Sequence, residues 1–278
     1  SRQGFVRGMD AQEWVGGMTD FLLELRSEEI PARMQDKARE DLARLFVAEL
    51  DKAGLKAAGI VTYATPRRLA LIAKGLPLET EAVSEETKGP KVGAPPQAME
   101  GFLRKVGLTQ EQLVERDGVY FAVVEKPGRK TADVLTLALL NIVEAFPWPK
   151  SQRWGKASAS MESMRWVRLL RGYVQLLGDE LIRSSLVRIQ VYFRSDSHEI
   201  DEVDLRQGLR ASRETLGHRF HHPGPITIGS AADYVEKLRA CHVIVDQEER
   251  RAIIRAGAEK AAADAGLVLV PDEGLVNE

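Results

Sequence analysis

Apolar and polar positions recur along the chain with two different periods, which predict its strands and helices. A continuous apolar run at 21–25 predicts a strand. From Ala32 to Ala53, apolar residues recur every three or four positions, which predicts an amphipathic helix ended by Gly54. Two more apolar runs, at 60–63 and 69–73, predict strands on either side of a turn that contains Pro66.

Two dipeptides mark hairpins further along the chain. Asp117-Gly118 and Gly178-Asp179 each separate short apolar segments, as two-residue hairpin turns do. Between them, the apolar stretch from Thr131 to Phe146 predicts a helix, which Pro147 ends. The stretch 87–98 is rich in glycine, proline and lysine, and we predict a loop there.

The last quarter of the chain continues this mixture. Strands are predicted at 226–228 and 241–245, and helices at 231–239 and 247–265. The apolar segment 267–270 has the pattern of a buried strand. Because the chain stops soon after this strand, we expect a fragment of a longer protein.

The order of these elements predicts the fold class. Strands and helices do not follow the regular βαβ order, and hairpins recur, so we predict an α+β fold with mixed, largely antiparallel sheets and packed helices. A length of 278 residues suits two subdomains, which we place at 18–150 and 151–278. Residues 1–17 lack any period and are expected to be a leader or a disordered arm.

Composition narrows the class of protein further. A hydrophobic content of 44% allows a sizeable core, and the formal net charge is -2. Lys and Arg outnumber acidic residues between Lys150 and Arg194, so a local basic surface is compatible with this total. The single cysteine, Cys241, excludes an internal disulfide. No apolar run reaches the ~20 residues of a membrane span, so we expect a cytoplasmic protein with no membrane partner.

Three of the five histidines, His218, His221 and His222, fall within five positions. In an extended chain His218 and His222 share one face and His221 points away, so only two nitrogens would converge and no metal site is predicted. Two interpretations stay open for this segment. Either it is a solvated loop, or Arg219 beside an aromatic ring contacts phosphate or a base.

The turn after the second strand presents Arg67 and Arg68 side by side. If the chain is extended, the two side chains point to different sides, and at most one serves the same ligand. The turn is either solvated or in contact with an anion such as an RNA backbone. The acidic residues Glu24, Glu28 and Glu29 suggest paired carboxylates, but a position before a helix favours a structural role.

A third basic stretch follows the apolar helix. Trp148 and Trp154 are interleaved with Lys150, Arg153 and Lys156. This pattern is typical of proteins that stack on unpaired RNA bases, although tryptophans that fill the core beneath a basic loop would give the same pattern. The motifs GxxxxGK[ST], GxSxG and HExxH are absent, and we predict no catalytic residue.

Taken in order, short motifs between residues 21 and 260 resemble the β subunit of bacterial heterotetrameric glycyl-tRNA synthetase. After the second hairpin the resemblance is interrupted, and 188–212 is expected to be either an insertion or a sequence anomaly. The motifs that carry the resemblance are Leu22-Leu23-Glu24-Leu25, Glu28-Glu29-Ile30-Pro31, Thr65-Pro66-Arg67-Arg68-Leu69-Ala70, Lys88-Gly89-Pro90, Gly101-Phe102, Gly118-Val119-Tyr120, Lys150 with Arg153-Trp154-Gly155, Gly217-His218-Arg219-Phe220, and the segment from Asp233-Tyr234 to Leu238.

The resemblance implies that this chain is the N-terminal part of a longer β subunit. In that family the α subunit makes the glycyl-adenylate with ATP and Mg²⁺, so the present chain is expected to bind no cofactor and to be inactive alone. The implied partners are the α subunit and tRNA(Gly). The candidates for RNA contact are Arg67, Arg68, Lys150, Arg153, Trp154, His218 and Arg219.

Two alternatives remain beside RNA binding. The same motifs would also suit a scaffold whose core and turn residues shape a surface for the α subunit. A metal-dependent hydrolase built on residues 218–222 is the other alternative, and it requires a bound transition metal.

Overall fold

The computed structural model describes residues 17–153, 165–186 and 209–277. Within these ranges strands and helices are mixed and the sheets are mostly antiparallel, which confirms the predicted α+β class. The helices are α1 (Ala32–Lys52), α2 (Pro96–Val106), α3 (Thr131–Ala145), α4 (Tyr234–Ala240), α5 (Gln247–Asp264) and α6 (Glu273–Asn277). The strands are β1 (Met18–Ser27), β2 (Gly59–Thr65), β3 (Arg68–Pro77), β4 (Val83–Lys91), β5 (Val114–Arg116), β6 (Val119–Lys126), β7 (Gln152–Arg153), β8 (Arg165–Trp166), β9 (Leu170–Leu177), β10 (Glu180–Leu181), β11 (Ser185–Leu186), β12 (Leu209–Ser212), β13 (Glu214–Leu216) and β14 (Pro225–Thr227).

The central sheet joins strands from both halves of the chain. Its order is β11-β12-β9-β1-β3-β2, with β10 paired to β9. Strand β1 is antiparallel to β3 on one side and to β9 on the other. The predicted boundary near residue 150 therefore falls between elements that share this sheet, and the division into two subdomains stays a prediction.

Residues of β1 alternate between two hydrophobic layers, as side chains of a strand do. Phe21, Leu23 and Leu25 belong to a core shared with α1 and α3. Leu22 lies on the other face, in a second core with residues of β14 and α4 such as Tyr234. Because β1 is buried on both faces, its sequence shows a continuous apolar run instead of alternation.

Helix α1 confirms the predicted amphipathic helix. Its buried positions include Leu42, Phe46 and Leu50, each at most 2% exposed, and the ring of Phe46 stacks on Phe21 with centroids 5.5 Å apart. Each such side chain contributes roughly 1.5–3 kcal/mol by leaving water. Pro31 precedes the first helical residue, where it needs no backbone donor.

The two predicted hairpins are present. Asp117 and Gly118 join β5 to β6 with φ values of 53° and 69°, the two positive values that a tight hairpin turn of this kind requires. Gly178, with φ of 61°, begins the turn from β9 to β10. The sequence signal is reliable here because the turn residues themselves impose the backbone conformation.

The predicted loop at 87–98 is wrong in its first part, which belongs to β4, and in its last three residues, which begin α2. Residues 83–91 form β4, which pairs with β6 at the edge of a three-stranded sheet. Pro90 falls in the register shift between Lys88 and Lys91, where a missing N–H is tolerated. Gly89 fits there because a Cβ would lie 2.6 Å from the ring of Phe102.

Two predicted strands in the last quarter are also wrong. At 241–245 the chain makes the turn that ends α4, with N–H of Val243 bonded to the carbonyl of Leu238 at 2.8 Å and His242 at a φ of 60°. Segment 267–270 is neither a strand nor buried, since Val268 is 92% and Val270 81% exposed. The sequence of a short apolar run does not show which element it packs against. The hydrophobic pattern alone therefore assigned both segments wrongly.

The predicted leader at 1–17 and the expected insertion at 188–212 fall largely outside the described residues. The described end of the insertion, residues 209–212, forms β12, which pairs with β9 in parallel. This strand brings the expected insertion into contact with the central sheet.

Candidate nucleic-acid interface

The candidate site lies where β1 and β9 meet the turn between β2 and β3, at one end of the central sheet. The N–H of Ser27 donates to the carbonyl of Arg67 at 2.9 Å. The N–H of Glu28 donates to the carbonyl of Leu169, also at 2.9 Å. These backbone bonds hold three segments that are distant in sequence against one another.

The two arginines of the turn have different surroundings. Arg68 is 5% exposed; its Nη2 donates to the carbonyl of Leu216 at 2.6 Å, and its Nε lies 3.3 Å from a carboxylate oxygen of Glu24. The side chain of Arg67 is 33% exposed, and its Nη2 lies 3.5 Å from the carboxylate of Glu28. Of this pair, only Arg67 is available to a ligand from solvent.

Glu24 is the acidic centre of a buried network on the second face of the sheet. It is 1% exposed and accepts hydrogen bonds from the hydroxyls of Thr215 and Tyr234, the latter at 2.5 Å. Burial, and then the negative charge of Glu24, raise the pKa of Tyr234 well above its usual 10.0. With Arg68, the network ties β1, β3, β13 and α4 together, which is a structural role for Glu24.

Glu28 is the centre of a second group of ion pairs, which is exposed to solvent. Nε of Arg171 donates to its carboxylate at 2.7 Å, and Arg67 lies beside it. The hydrogen bond from Arg171, and then the positive charges of Arg171, Arg67 and Arg219, hold the pKa of Glu28 below its usual 4.5. Arginines from three separate segments therefore surround one ionised carboxylate.

Arg26 adds a fourth guanidinium to this end of the sheet. In the sheet, Arg26 of β1 pairs with Arg68 of β3 on one side and with Gly172 of β9 on the other. Burial lowers the pKa of Arg26, and the neighbouring positive charges of Arg68, Arg67 and Arg171 lower it further. We call Arg26, Arg67, Arg171 and Arg219, with Glu28 among them, the arginine surface.

The histidine segment is a turn, and the alternative of an extended chain is wrong. The N–H of His222 donates to the carbonyl of His218 at 2.8 Å, and Nδ1 of His218 accepts from the N–H of His221 at 3.3 Å. The rings of His218 and His221 lie 4.6 Å apart. This turn leaves Arg219 exposed and Phe220 78% exposed, with the guanidinium 5.7 Å from the ring centroid.

The third basic stretch, which contains Trp148 and Lys150, lies beside the core that β1 shares with α1 and α3. Trp148 packs against Phe146 and Trp166, with ring centroids 4.7 and 5.0 Å away, so this tryptophan fills the core as one of the two interpretations expected. Lys150 is exposed just beyond it, and Arg153 is half-buried in β7. Trp154, also a predicted contact, lies outside the described residues.

No metal site is assembled in the described ranges. Among residues 17–153, 165–186 and 209–277, no three His, Cys, Asp or Glu side chains are grouped as ligands. The hydrolase alternative therefore receives no support from the geometry.

In the same part of the chain, no helix has the length and apolar character to cross a membrane.

Sequence reasoning missed Arg26 and Arg171. One signal was present, because Arg26 follows Glu24 by two residues on a strand that is otherwise apolar, so both charges share a face. The contribution of Arg171 could not be found in this way. It depends on the pairing of β9 with β1, two strands separated by more than 140 positions.

The site is thus a basic surface supported by a buried ion-pair network on an α+β scaffold. Comparison with known proteins identifies the family to which this chain belongs. A family model described as "Glycyl-tRNA synthetase beta subunit" matches residues 21–278. The chain belongs to this family.

Curated relatives agree with this assignment. The chain is 44% identical over 265 residues to the glycine–tRNA ligase β subunit of Paracoccus denitrificans, covering 94% of this chain and 36% of the relative. It is 43% identical over 271 residues to that of Rhodospirillum centenum, covering 94% and 37%. The corresponding subunit of a Ruegeria species is 42% identical over 265 residues, covering 94% and 36%. The chain spans about a third of the length of these relatives.

Proposed function

We propose that this chain is part of the β subunit of a glycine–tRNA ligase and contacts tRNA(Gly) through the arginine surface. In the complete enzyme this contact serves the ATP-dependent attachment of glycine to tRNA, with the chemistry carried out by the α subunit. The chain itself acts through charge and stacking.

The observation that carries the proposal is the convergence around Glu28. Arg67 and Arg171 lie 3.5 and 2.7 Å from its carboxylate, and Arg219 acts on the same group through its charge. Guanidinium groups can bind phosphate oxygens in a bidentate manner, and neutralisation of phosphates by Arg and Lys supplies a large share of nucleic-acid affinity. The overall charge of -2 makes such a local concentration informative.

Phe220 adds the second element of RNA recognition. Its ring is 78% exposed and lies next to Arg219. An exposed aromatic ring beside a cation is the arrangement on which an unpaired base stacks. His218 belongs to the same turn, and Lys150 and Arg153 extend the proposal to a second stretch. Arg68 supports the surface from beneath through its contacts with Glu24.

The test measures tRNA(Gly) binding by the complete α–β enzyme over a range of salt concentrations. Arg67→Gln and Arg219→Gln are each expected to weaken binding and to reduce the slope of log K against log salt by about 1, as loss of one phosphate contact does. Arg104→Gln is the matched control, because Arg104 is exposed on α2, which packs on a different sheet. Unchanged slopes in both test variants would contradict tRNA contact by this surface.

A second function, docking of the α subunit, is favoured by a different observation. Ile253 and Ile254 on α5 are 49% and 52% exposed, and Leu267 and Val268 beyond it are 68% and 92% exposed. Large exposed apolar side chains that recur within one segment suit a surface that a partner covers.

Co-purification with the α subunit in the absence of tRNA tests this docking. Replacing Ile253 and Ile254 with serine is expected to reduce recovery of the α subunit. The Val47→Ser variant is the control, since Val47 is 41% exposed on α1. Full recovery with the double variant would count against docking through α5.

A further inference from the structure

A cavity opens beside the arginine surface, on the face of the sheet that carries Glu24. Its volume is about 210 Å³, and strands β9, β12 and β13 line it. Three arginines, Arg26, Arg171 and Arg210, belong to its lining, and Glu214 is the acidic residue of that lining. The lining therefore holds more positive than negative residues, although the ion pair of Arg171 with Glu28 offsets part of this excess.

Arg26 is the arginine that the sheet itself holds in place. Its backbone lies opposite Gly172 in β9, and a Cβ on that glycine would lie 3.2 Å from Nη2 of Arg26. The guanidinium thus lies close to the backbone of β9, and a larger residue at position 172 would require it to shift by a few tenths of an ångström. Because both neighbouring strands pair with it, the backbone of Arg26 has little conformational freedom to lose when the side chain binds an anion.

The structure gives Arg26 no fixed counter-ion. Within the described ranges its side chain makes no hydrogen bond and has no carboxylate within 4.0 Å. The acid that acts on it, Glu24, already accepts from Thr215 and Tyr234 and pairs with Arg68. A half-buried cation in this position is stabilised by any anion that enters the cavity.

We propose that this cavity is a binding site for a phosphate group, with the guanidinium of Arg26 at its inner wall and those of Arg171 and Arg210 at its rim. Phosphate is the anion that matches convergent guanidinium groups best, because each can donate two parallel N–H bonds to its oxygens. The phosphate comes either from an RNA backbone or from a free phosphate compound. In the first case the site deepens the tRNA contact proposed above, and only that case rests on it.

Titration of the full chain with inorganic phosphate at constant ionic strength tests the site, with chloride as the reference anion. Saturable binding is expected, and Arg26→Gln should weaken it roughly tenfold, as expected for loss of a charge-assisted hydrogen-bond pair. Gly172→Ala keeps every charge but requires the guanidinium of Arg26 to shift by a few tenths of an ångström, so it should weaken binding by a smaller factor. Gly59→Ala is the matched control, because a Cβ there meets nothing within 4 Å.

Binding of tRNA(Gly) by the complete enzyme then identifies the source of the phosphate. A salt slope reduced by about 1 in Arg26→Gln, but not in Arg104→Gln, assigns an RNA backbone phosphate to the cavity. An unchanged slope together with lost phosphate binding assigns a free phosphate compound. Phosphate binding by a wild-type enzyme that has no affinity for tRNA would support the site and overturn the proposed function.

Two results would overturn the site itself. One is the absence of saturable phosphate binding by the wild-type chain. The other is equal phosphate affinity in the wild type, Arg26→Gln and Gly172→Ala, with denaturant unfolding showing that both variants remain folded.

Discussion

Two ion-pair centres lie four residues apart on the same segment of the chain, and their surroundings are opposite. Glu24 pairs with Arg68, and both are at most 5% exposed. Glu28 pairs with Arg67 and Arg171, and its side chain is 34% exposed. Two adjacent arginines, Arg68 and Arg67, therefore belong to a buried network at one centre and to an exposed surface at the other.

The difference shows how burial assigns roles to identical side chains. A buried charge must have all its partners inside the protein, because taking it out of water is costly. Exposed ion pairs contribute little to stability, and their arginines can exchange a carboxylate for another anion. Breaking the buried centre is therefore expected to destabilise the fold, whereas the arginines of the exposed centre can exchange their partner.

Removing one partner of the buried centre should have the largest effect. Arg68→Met leaves Glu24 charged and without its cation, which is expected to lower the free energy of unfolding by about 3–5 kcal/mol. Urea unfolding measures this change. The matched control is Arg67→Met, for which at most about 1 kcal/mol is expected because its pair is exposed. Equal losses in the two variants would remove the contrast between the centres.

Deleting one hydrogen bond within the buried centre should have an intermediate effect. In Tyr234→Phe, Glu24 loses a donor 2.5 Å away while the ring remains in the core. Loss of a hydrogen bond to a charged group is expected to cost about 1.5–3 kcal/mol, again by urea unfolding. A cost near zero would mean that Thr215 and Arg68 satisfy the carboxylate without Tyr234.

The raised pKa of the Tyr234 hydroxyl predicts how stability changes at alkaline pH. Because its pKa is raised in the folded state, the folded protein keeps this proton at a pH where the unfolded chain, with a pKa near 10.0, has lost it. Stability should therefore fall as the pH rises above about 10. Comparing wild type with Tyr234→Phe by thermal unfolding isolates the effect, and parallel curves would contradict it.

The smallest effect is expected at the exposed centre in acid. The pKa of Glu28 is lowered by folding, so its stabilising contribution is present above the unfolded value of 4.5 and is lost as pH falls through the folded value. The stability difference between wild type and Glu28→Gln should be below about 1 kcal/mol at neutral pH and should vanish in acid. A difference that persists at low pH would show a contribution other than charge.

Local patterns predicted the elements whose causes are themselves local. The repeat of apolar residues in α1 and the Asp117-Gly118 turn carry their own geometry. Strand β4 was missed because its pairing with β6 compensates for Gly89 and Pro90, which are poor strand residues. The turn at 241–245 was missed because its apolar residues have the sequence pattern of a strand, whereas in the structure they form the turn that ends α4.

The candidate site divides in the same way. Arg67 and Arg219 were predicted from motifs, but their proximity to Glu28 was not, and neither were Arg26, Arg171 and the cavity between β9 and β13. The sequence alone determined the α+β class, the principal helices and hairpins, and the resemblance to a family. Only the tertiary structure decided which arginines are buried and which are exposed, because the packing of β1 against β3, β9, β13 and α4 sets the dielectric surroundings of these charges.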